Sequence, residues 1–334
     1  MRFITNSGLS REQVVDWLTK PKDKIAIDIE TVSIDNKIPL GIGIAVTPDI
    51  GFYFFNIKDD LVKAAIESSN IILTHNGKFD IALLRKLGFP LLSYEDTKMI
   101  AYANGVLENT LPQLSESILH RDCPSVTSQW RKPNQGNIGI DHVKMGGMCI
   151  IHACNTLALE SIMPKSQLYL DIDKPCIELL IEMEEWGLLV DQYMLTRVEQ
   201  SVIQVANPME EELKAELHID NVNSNPQVAE ALKNLGIIGT RKTKSAKDSV
   251  SDESLKPLGL PLTDKILRWR SLMKTISTYV PAFRNRVDEH GRLKTDYGHT
   301  RTGRWNSSKP NLQNLTGDKK FEGLEMDNSD EEEE

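Results

Sequence analysis

The sequence predicts a mixed α/β domain followed by a mainly α-helical segment, and three observations carry that reading. Apolar residues alternate with period two in several short runs of the first third, and helix-like stretches lie between those runs. From residue 110 onward no strand-like run follows for a long way, and helical spacing takes over. The chain has 334 residues, 40% of them hydrophobic, which suits two domains with a core each.

Residues 24–30, KIAIDIE, alternate apolar and polar and predict the first strand, and residues 38–47 and 51–55 predict two more. A helix over 59–69 leads to a short buried strand at 71–74. The helix over 78–88 is ended by Gly88 and Pro90, and another spans 97–105. Residues 121–140, rich in Pro, Asn, Gly and Ser, predict a loop, and 141–163 a helix that Pro164 breaks. The domain boundary is expected near 165–172, giving domains over 1–168 and 169–315 and a tail over 316–334. In the second part helices fit 173–186, 192–217 and 226–235, and 239–252 is a basic, polar loop. Residues 262–289 predict one long helix with apolar Ile266, Leu267, Trp269, Leu272, Ile276, Tyr279 and Val280. Residues 292–315 are expected to be extended and irregular, and the acidic, low-complexity end to be disordered. There is no internal repeat.

No stretch approaches the ~20 apolar residues of a membrane span, and the first residues lack the apolar run of a secretory signal. The four cysteines, Cys123, Cys149, Cys154 and Cys176, form no CxxC pair. They predict reduced thiols in the cytoplasm and no zinc site. The net charge of −9 hides a division: residues 240–310 hold 16 Lys and Arg against 7 Asp and Glu. A local basic surface is what nucleic-acid binding needs, although a basic stretch alone equally suits a solvated face.

Asp28 and Glu30 stand two apart at the end of the first predicted strand, so their side chains share a face. Such a pair either holds a divalent cation or is a solvated strand end. The run Thr74-His75-Asn76-Gly77-Lys78-Phe79-Asp80 passes from a buried strand into a helix. Asp80 falls in the first turn, where an acid suits the helix dipole. The order of a DxE strand, two strands, a helix, a strand, NxxxFD and a helix resembles the 3′–5′ exonuclease domain of the DEDD superfamily, in the form attached to family A DNA polymerases. Asp28-Ile29-Glu30-Thr31 is similar to its first motif and Asn76 to Asp80 to its second. Asp96 to Tyr102 resembles a DTxxxxY segment between the second and third motifs.

That resemblance implies an α/β exonuclease domain with a ribonuclease H-like mixed sheet, in a bacterial or phage-infected cell. It implies a two-metal mechanism with Mg²⁺ or Mn²⁺ held by Asp28, Glu30 and Asp80, one cation activating water and the other stabilising the leaving 3′ oxygen. Thr31, Asn76 and Phe79 would bind the single-stranded 3′ end. The third motif departs from the pattern. Aligned on Thr156-Leu157, Met148 stands where Tyr is expected and His152 where Asp is expected. His152 is then either a catalytic residue that brings no negative charge to a metal or a partly buried structural histidine. Asp141 and His142 fall a turn or more too early for that motif.

The second part resembles the thumb of the same polymerases. Residues 170–191 are similar to the segment that opens the polymerase region, and Asn223 to Gln227 to its NINSPKQ turn. The run from Thr302 to Asn314 resembles TGRLSSxxPNLQN, which joins thumb to palm. This implies minor-groove contacts from Arg304, Asn311 and Gln313 and phosphate contacts from Lys242, Lys244, Lys274 and Arg301. Beyond it the sequence has Gly317-Asp318-Lys319-Lys320 and an acidic tail instead of palm and fingers. The expectation is therefore a proofreading exonuclease and primer–template binder in DNA replication, without a polymerase site in this chain. A second polypeptide carrying palm and fingers is the expected partner. The alternative is a non-catalytic, DNA-binding scaffold of a split polymerase: Asp28, Glu30 and Asp80 favour the enzyme, Met148 and His152 the scaffold.

Overall fold

The computed structural model describes residues 3–32, 38–91, 93–124, 141–237, 249–300 and 302–314, with the backbone alone at position 142. Most of the predicted loops at 121–140 and 239–252, and the acidic tail, lie outside the described residues. The chain divides into two compact units, Met1–Met183 and Glu184–Glu334.

The first unit opens with strand β1 (Phe3–Thr5) and helix α1 (Arg11–Thr19). A capping box starts α1: the Ser10 hydroxyl accepts from the Gln13 N–H, and the Gln13 side chain accepts from the Ser10 N–H. Strands β2 (Lys22–Thr31), β3 (Pro39–Thr47) and β4 (Ile50–Phe54) follow, then α2 (Asp60–Glu67), β5 (Ser69–Thr74), α3 (Lys78–Lys86), β6 (Tyr94–Asp96), α4 (Thr97–Ala103), α5 (Leu111–Leu114) and α6 (His142–Ile162). The sheet order is β1-β4-β3-β2-β5-β6. Strands β1 to β4 pair antiparallel, and β5 runs parallel to both β2 and β6.

Helix α6 packs against β2 and β3, and the sequence GIGIA shows why it can come so close. Ile42 and Ile44 are fully buried, and period two sends Gly41, Gly43 and Ala45 to the other face. There Ala45 joins Ala26, Tyr53, Cys149 and Ala153 in one cluster. A Cβ on Gly43 would lie 2.6 Å from the Cys149 carbonyl oxygen, so only glycine admits the helix at that point.

The boundary expected at 168/169 lies earlier than the observed division at 183/184. The residues between are tied to the first unit. The Tyr169 hydroxyl donates to buried Glu95 at 2.6 Å, and Lys174 donates to Glu95 at 2.9 Å. On helix α7 (Lys174–Trp186), Glu178 accepts a two-pronged contact from Arg85 at 2.5 and 2.8 Å and one from the Tyr94 hydroxyl at 2.9 Å.

In the second unit, β7 (Leu188–Leu189) precedes α8 (Gln192–Leu217), α9 (Asn225–Asn234), α10 (Asp252–Leu255) and α11 (Pro261–Lys274). Their core gathers Val202, Leu213, Val228, Leu255, Ile266 and Trp269. The single helix expected over 262–289 is interrupted. After α11 comes a π-helical turn, Thr275–Tyr279, and α12 (Val280–Asn285) ends the run. Hydrogen bonding in such a turn skips one residue further, a change that leaves the apolar pattern nearly intact and so escapes periodicity. The segment expected to be irregular contains three short strands: β8 (Arg292–Leu293), which pairs with β7, and the hairpin of β9 (Asp296–His299) and β10 (Trp305–Ser308). Among the described residues no helix is long and apolar enough to cross a membrane.

Candidate active site

Asp28 and Glu30 lie at the C-terminal end of β2, paired in register with Gly43 and Gly41 of β3. Gly43 faces the Cys149 backbone of α6, so no side chain on β3 stands between Asp28 and the helix, whereas the space beside Gly41 is filled by Tyr53. Three side chains converge there: the ligand atoms of Asp28, Glu30 and Cys149 all lie within 4.8 Å of one another. Asp28 Oδ2 is buried and has no hydrogen-bond partner. Asp80 stands behind this group. Its carboxylate accepts from the Ile29 N–H at 3.0 Å, which ties α3 to β2. Burial and the neighbouring Asp28 carboxylate push its carboxyl well above the usual range. Asp80 is not in the three-residue cluster, whose third member is the thiol of Cys149.

His152 reaches the same place from one turn further along α6. Its Nδ1 lies 3.4 Å from Asp28 Oδ2, and its Nε2 lies 2.7 Å from the Pro124 carbonyl oxygen. A carbonyl can only accept, so Nε2 carries a proton and donates. Burial opposes charge on the ring, but Asp28 outweighs it and holds the imidazole pKa above its ordinary value. Met148 is buried among apolar neighbours of α6 and the sheet. Asp141 caps α6, accepting from the N–H groups of Val143 and Lys144 at 3.1 Å, so its job is structural.

The turn after β5 is built by Asp96. Its carboxylate accepts from the N–H groups of Asn76 at 3.0 Å and Gly77 at 2.9 Å, and also from Lys98 and Met99 at the start of α4. Asn76 adopts φ 61, a left-handed conformation that Asn tolerates better than most residues. Its side-chain oxygen accepts from Lys98 Nζ at 3.2 Å. Asn76 is exposed, Phe79 half-buried and Thr31 buried, around the same ends of β2 and β5. His75 Nδ1 meets the Thr97 hydroxyl at 2.9 Å, and burial followed by the Lys98 charge lowers the ring's pKa to about 3.

Of the expected DNA contacts, Lys242, Lys244 and Arg301 lie outside the described residues. Arg304 is exposed in the turn just before β10. Asn311 and Gln313 sit near it, but much of their hydrogen-bonding capacity is used within the chain. Asn311 Oδ1 accepts from the N–H groups of Gln313 and Asn314, and Gln313 Nε2 donates to the Trp305 carbonyl. Lys274 is at the end of α11, with Nζ 5.8 Å from the Tyr279 ring centroid.

Sequence reasoning brought Asp28, Glu30, Asp80 and His152 to one place. It missed Cys149, whose four-residue neighbourhood carries no metal-binding spacing; the one available signal was Gly43, whose missing side chain lets α6 approach.

Residues 192–327 match the model of DNA polymerase family A. The chain is 30% identical to DNA polymerase I of Rhizobium leguminosarum over 277 residues, covering 76% of this chain and 27% of that protein. It is 27% identical to DNA polymerase I of Borreliella burgdorferi over 344 residues, covering 94% of this chain and 37% of that protein. The chain thus spans about a quarter to two fifths of these relatives' length. In fold it is similar to the POL domain of Pol1 from M. smegmatis in complex with DNA primer-template and dNTP. The TM-score is 0.66 at 22% identity, over 92% of this chain and 55% of that one. The chain is thus similar to family A DNA polymerases, in sequence most clearly over residues 192–327.

Proposed function

We propose, from this likeness to family A DNA polymerases, that residues 3–183 act as a DEDD-type 3′–5′ exonuclease domain and that residues 184–314 act as a thumb gripping primer–template in DNA replication. The observation that carries the nuclease reading is the carboxylate pair on one face of β2, whose ligand atoms and the Cys149 thiol lie within 4.8 Å of one another. Two carboxylates suit a hard divalent cation such as Mg²⁺ or Mn²⁺, so Asp28 and Glu30 fit one. Where the resemblance expects a further carboxylate, the chain has His152. A cation at Asp28 and Glu30 would polarise the scissile phosphate and lower the pKa of a bound water.

The chain's own residues supply the rest. Asp80 fixes β2 against α3 and keeps Asp28 in place. Asp96 locks the Asn76 turn, so Asn76 and Phe79 present a fixed edge to a frayed 3′ end, with Thr31 alongside. In the second unit Arg304 offers an exposed guanidinium, and Asn311 and Gln313 hold the hairpin that carries it. Lys242, Lys244, Lys274 and Arg301 remain the phosphate contacts this reading expects. The scaffold alternative rests on Met148 and His152 and is not adopted, because Asp28 and Glu30 converge on one face of β2. A separate palm-and-fingers chain finds no support in the comparisons and is not proposed.

The test is digestion of a 3′-labelled single strand in Mg²⁺ or Mn²⁺. Asp28→Ala with Glu30→Ala should lower the rate at least about a thousandfold, since a bound cation supplies several kcal/mol. Equal digestion by the double variant would sink the assignment. Met148→Tyr with His152→Asp should raise the rate.

A further inference from the structure

Buried Asp96 fixes more than the Asn76 turn. A single oxygen, Asp96 Oδ1, accepts from the Asn76 N–H at 3.0 Å and from the Lys98 N–H at 2.9 Å. The two side chains then meet at the surface, Lys98 Nζ donating to Asn76 Oδ1 at 3.2 Å. That bond decides what the pair offers. A lysine ammonium has three N–H donors and no acceptor, and an amide whose oxygen is occupied presents its two N–H donors. Among the described residues the Lys98 ammonium forms no ion pair, and nothing accepts from the Asn76 amide nitrogen. The pair is therefore an edge of donors with an uncompensated positive charge. Asn76 holds φ 61 to stand there, a conformation that a residue with a side chain keeps only where its surroundings enforce it. Strands β2, β5 and β6 are parallel neighbours, so their C-terminal ends lie along one side of the sheet. Across that side come, in order, the carboxylates of Asp28 and Glu30 at the end of β2, Asn76 after β5 and Lys98 after β6. Adjacent strands lie about 4.8 Å apart, which puts the Lys98 backbone roughly 10 Å from that of the carboxylate pair.

We propose that Lys98 and Asn76 together bind a backbone phosphate of the single strand on the 5′ side of the scissile one, so that the strand crosses the sheet edge from β6 to β2. The proposal rests on the reading of the first unit as a 3′–5′ exonuclease and adds the path of its substrate. Phosphate oxygens accept hydrogen bonds and carry the opposite charge, which suits a surface made of donors. A phosphate contact carries no sequence information, so this grip is indifferent to the base it follows.

Digestion of a short labelled single strand in Mg²⁺ is the test. Lys98→Met should raise KM about tenfold, as expected for the loss of a hydrogen bond to a charged group, with kcat nearly unchanged. Lys98→Arg should restore most of that loss. Single neutral methylphosphonates are then placed at successive linkages from the 3′ end. At one linkage, 5′ of the scissile one, the parent should lose about tenfold and Lys98→Met nothing further; at every other linkage the two should lose alike. A lysine that only propped the Asn76 turn would show no such cancellation. The log–log salt slope of binding should fall by about 0.7 in Lys98→Met, the value of one phosphate contact on a single strand. An unchanged KM, or a loss that no methylphosphonate position cancels, overturns the proposal. Fluorescence anisotropy of the same strands in EDTA repeats the series without cleavage. Failure of the nuclease reading therefore looks different: the Lys98 cancellation present in binding, in a chain that digests no DNA.

Discussion

Replacing Gly43 with alanine tests how the site is assembled, because it changes no functional side chain. The added Cβ would lie 2.6 Å from the Cys149 carbonyl oxygen, 2.7 Å from its carbonyl carbon and 2.9 Å from its Cβ. Ordinary contact begins near 3.4 Å, so the strand and α6 must part by about 0.8 Å at this point. The obstacle is helix backbone, which cannot swing aside as a side-chain tip can. Overpacking of this kind costs about 1–3 kcal/mol, or about 2–4 °C of melting temperature per kcal/mol for a unit of this size. The same movement would carry His152 from 3.4 Å to beyond 4 Å from Asp28. Thermal unfolding and strand digestion should therefore fall together in Gly43→Ala. Gly147→Ala, inside α6 with open space around its Cβ, is the control and should stabilise by about 1 kcal/mol. Should Gly43→Ala melt and digest like the parent, the packing of α6 over the carboxylates does not depend on that glycine and the reasoning fails.

Burial holds His75 near a pKa of about 3, against 6.5 unfolded. Between those values the unfolded chain binds the extra proton, so stability contributed by neutral His75 is full above about 6.5 and falls as pH drops, by up to ~1.4 kcal/mol per unit. Urea titrations from pH 4.5 to 7.5 should show a shallower slope in His75→Gln than in the parent, and identical slopes would contradict this. Arg85→Lys loses the forked contact to Glu178; with side chains 33% and 40% exposed the cost should be only about 0.5–1 kcal/mol, and a loss several times larger would show that the pair does more than fasten α7. Arg304→Ala should weaken primer–template binding several-fold, while Lys256→Ala leaves it nearly unchanged. Equal effects from the two variants would remove Arg304 from the interface.

The elements with strong local patterns were legible. KIAIDIE and IPLGIGIAVT differ from their observed strands by a residue or two, the helix at 226–235 by one residue at each end, and the helix at 192–217 not at all. Strand β1 and strand β6 have three residues each, too few for alternation to register, and they exist because neighbouring strands offer hydrogen bonds. Helix α1 had a readable start in its Ser10 and Gln13 box, but a weak apolar face. Within the site, Asp28, Glu30, Asn76 and Asp80 were legible because each belongs to a local motif. Cys149 was not, since its place beside Asp28 is set by contact across the helix–sheet interface. Asp96 was visible as a motif residue, yet its work of tying two turns together depends on main-chain donors that no side-chain pattern encodes.

The π-helical turn at Thr275–Tyr279 fixes an azimuth. One residue more or less in a helix rotates everything beyond it by about 100°. Within the second unit this turn lies between α11 and the strands that carry Arg304, and the Tyr279 hydroxyl bonds the Asn314 carbonyl at 2.6 Å, just past the hairpin. Deleting a single residue there would let the helix run on unbroken while swinging the hairpin's anchor around the axis. The length of this stretch, more than its composition, therefore sets the direction in which the guanidinium is aimed.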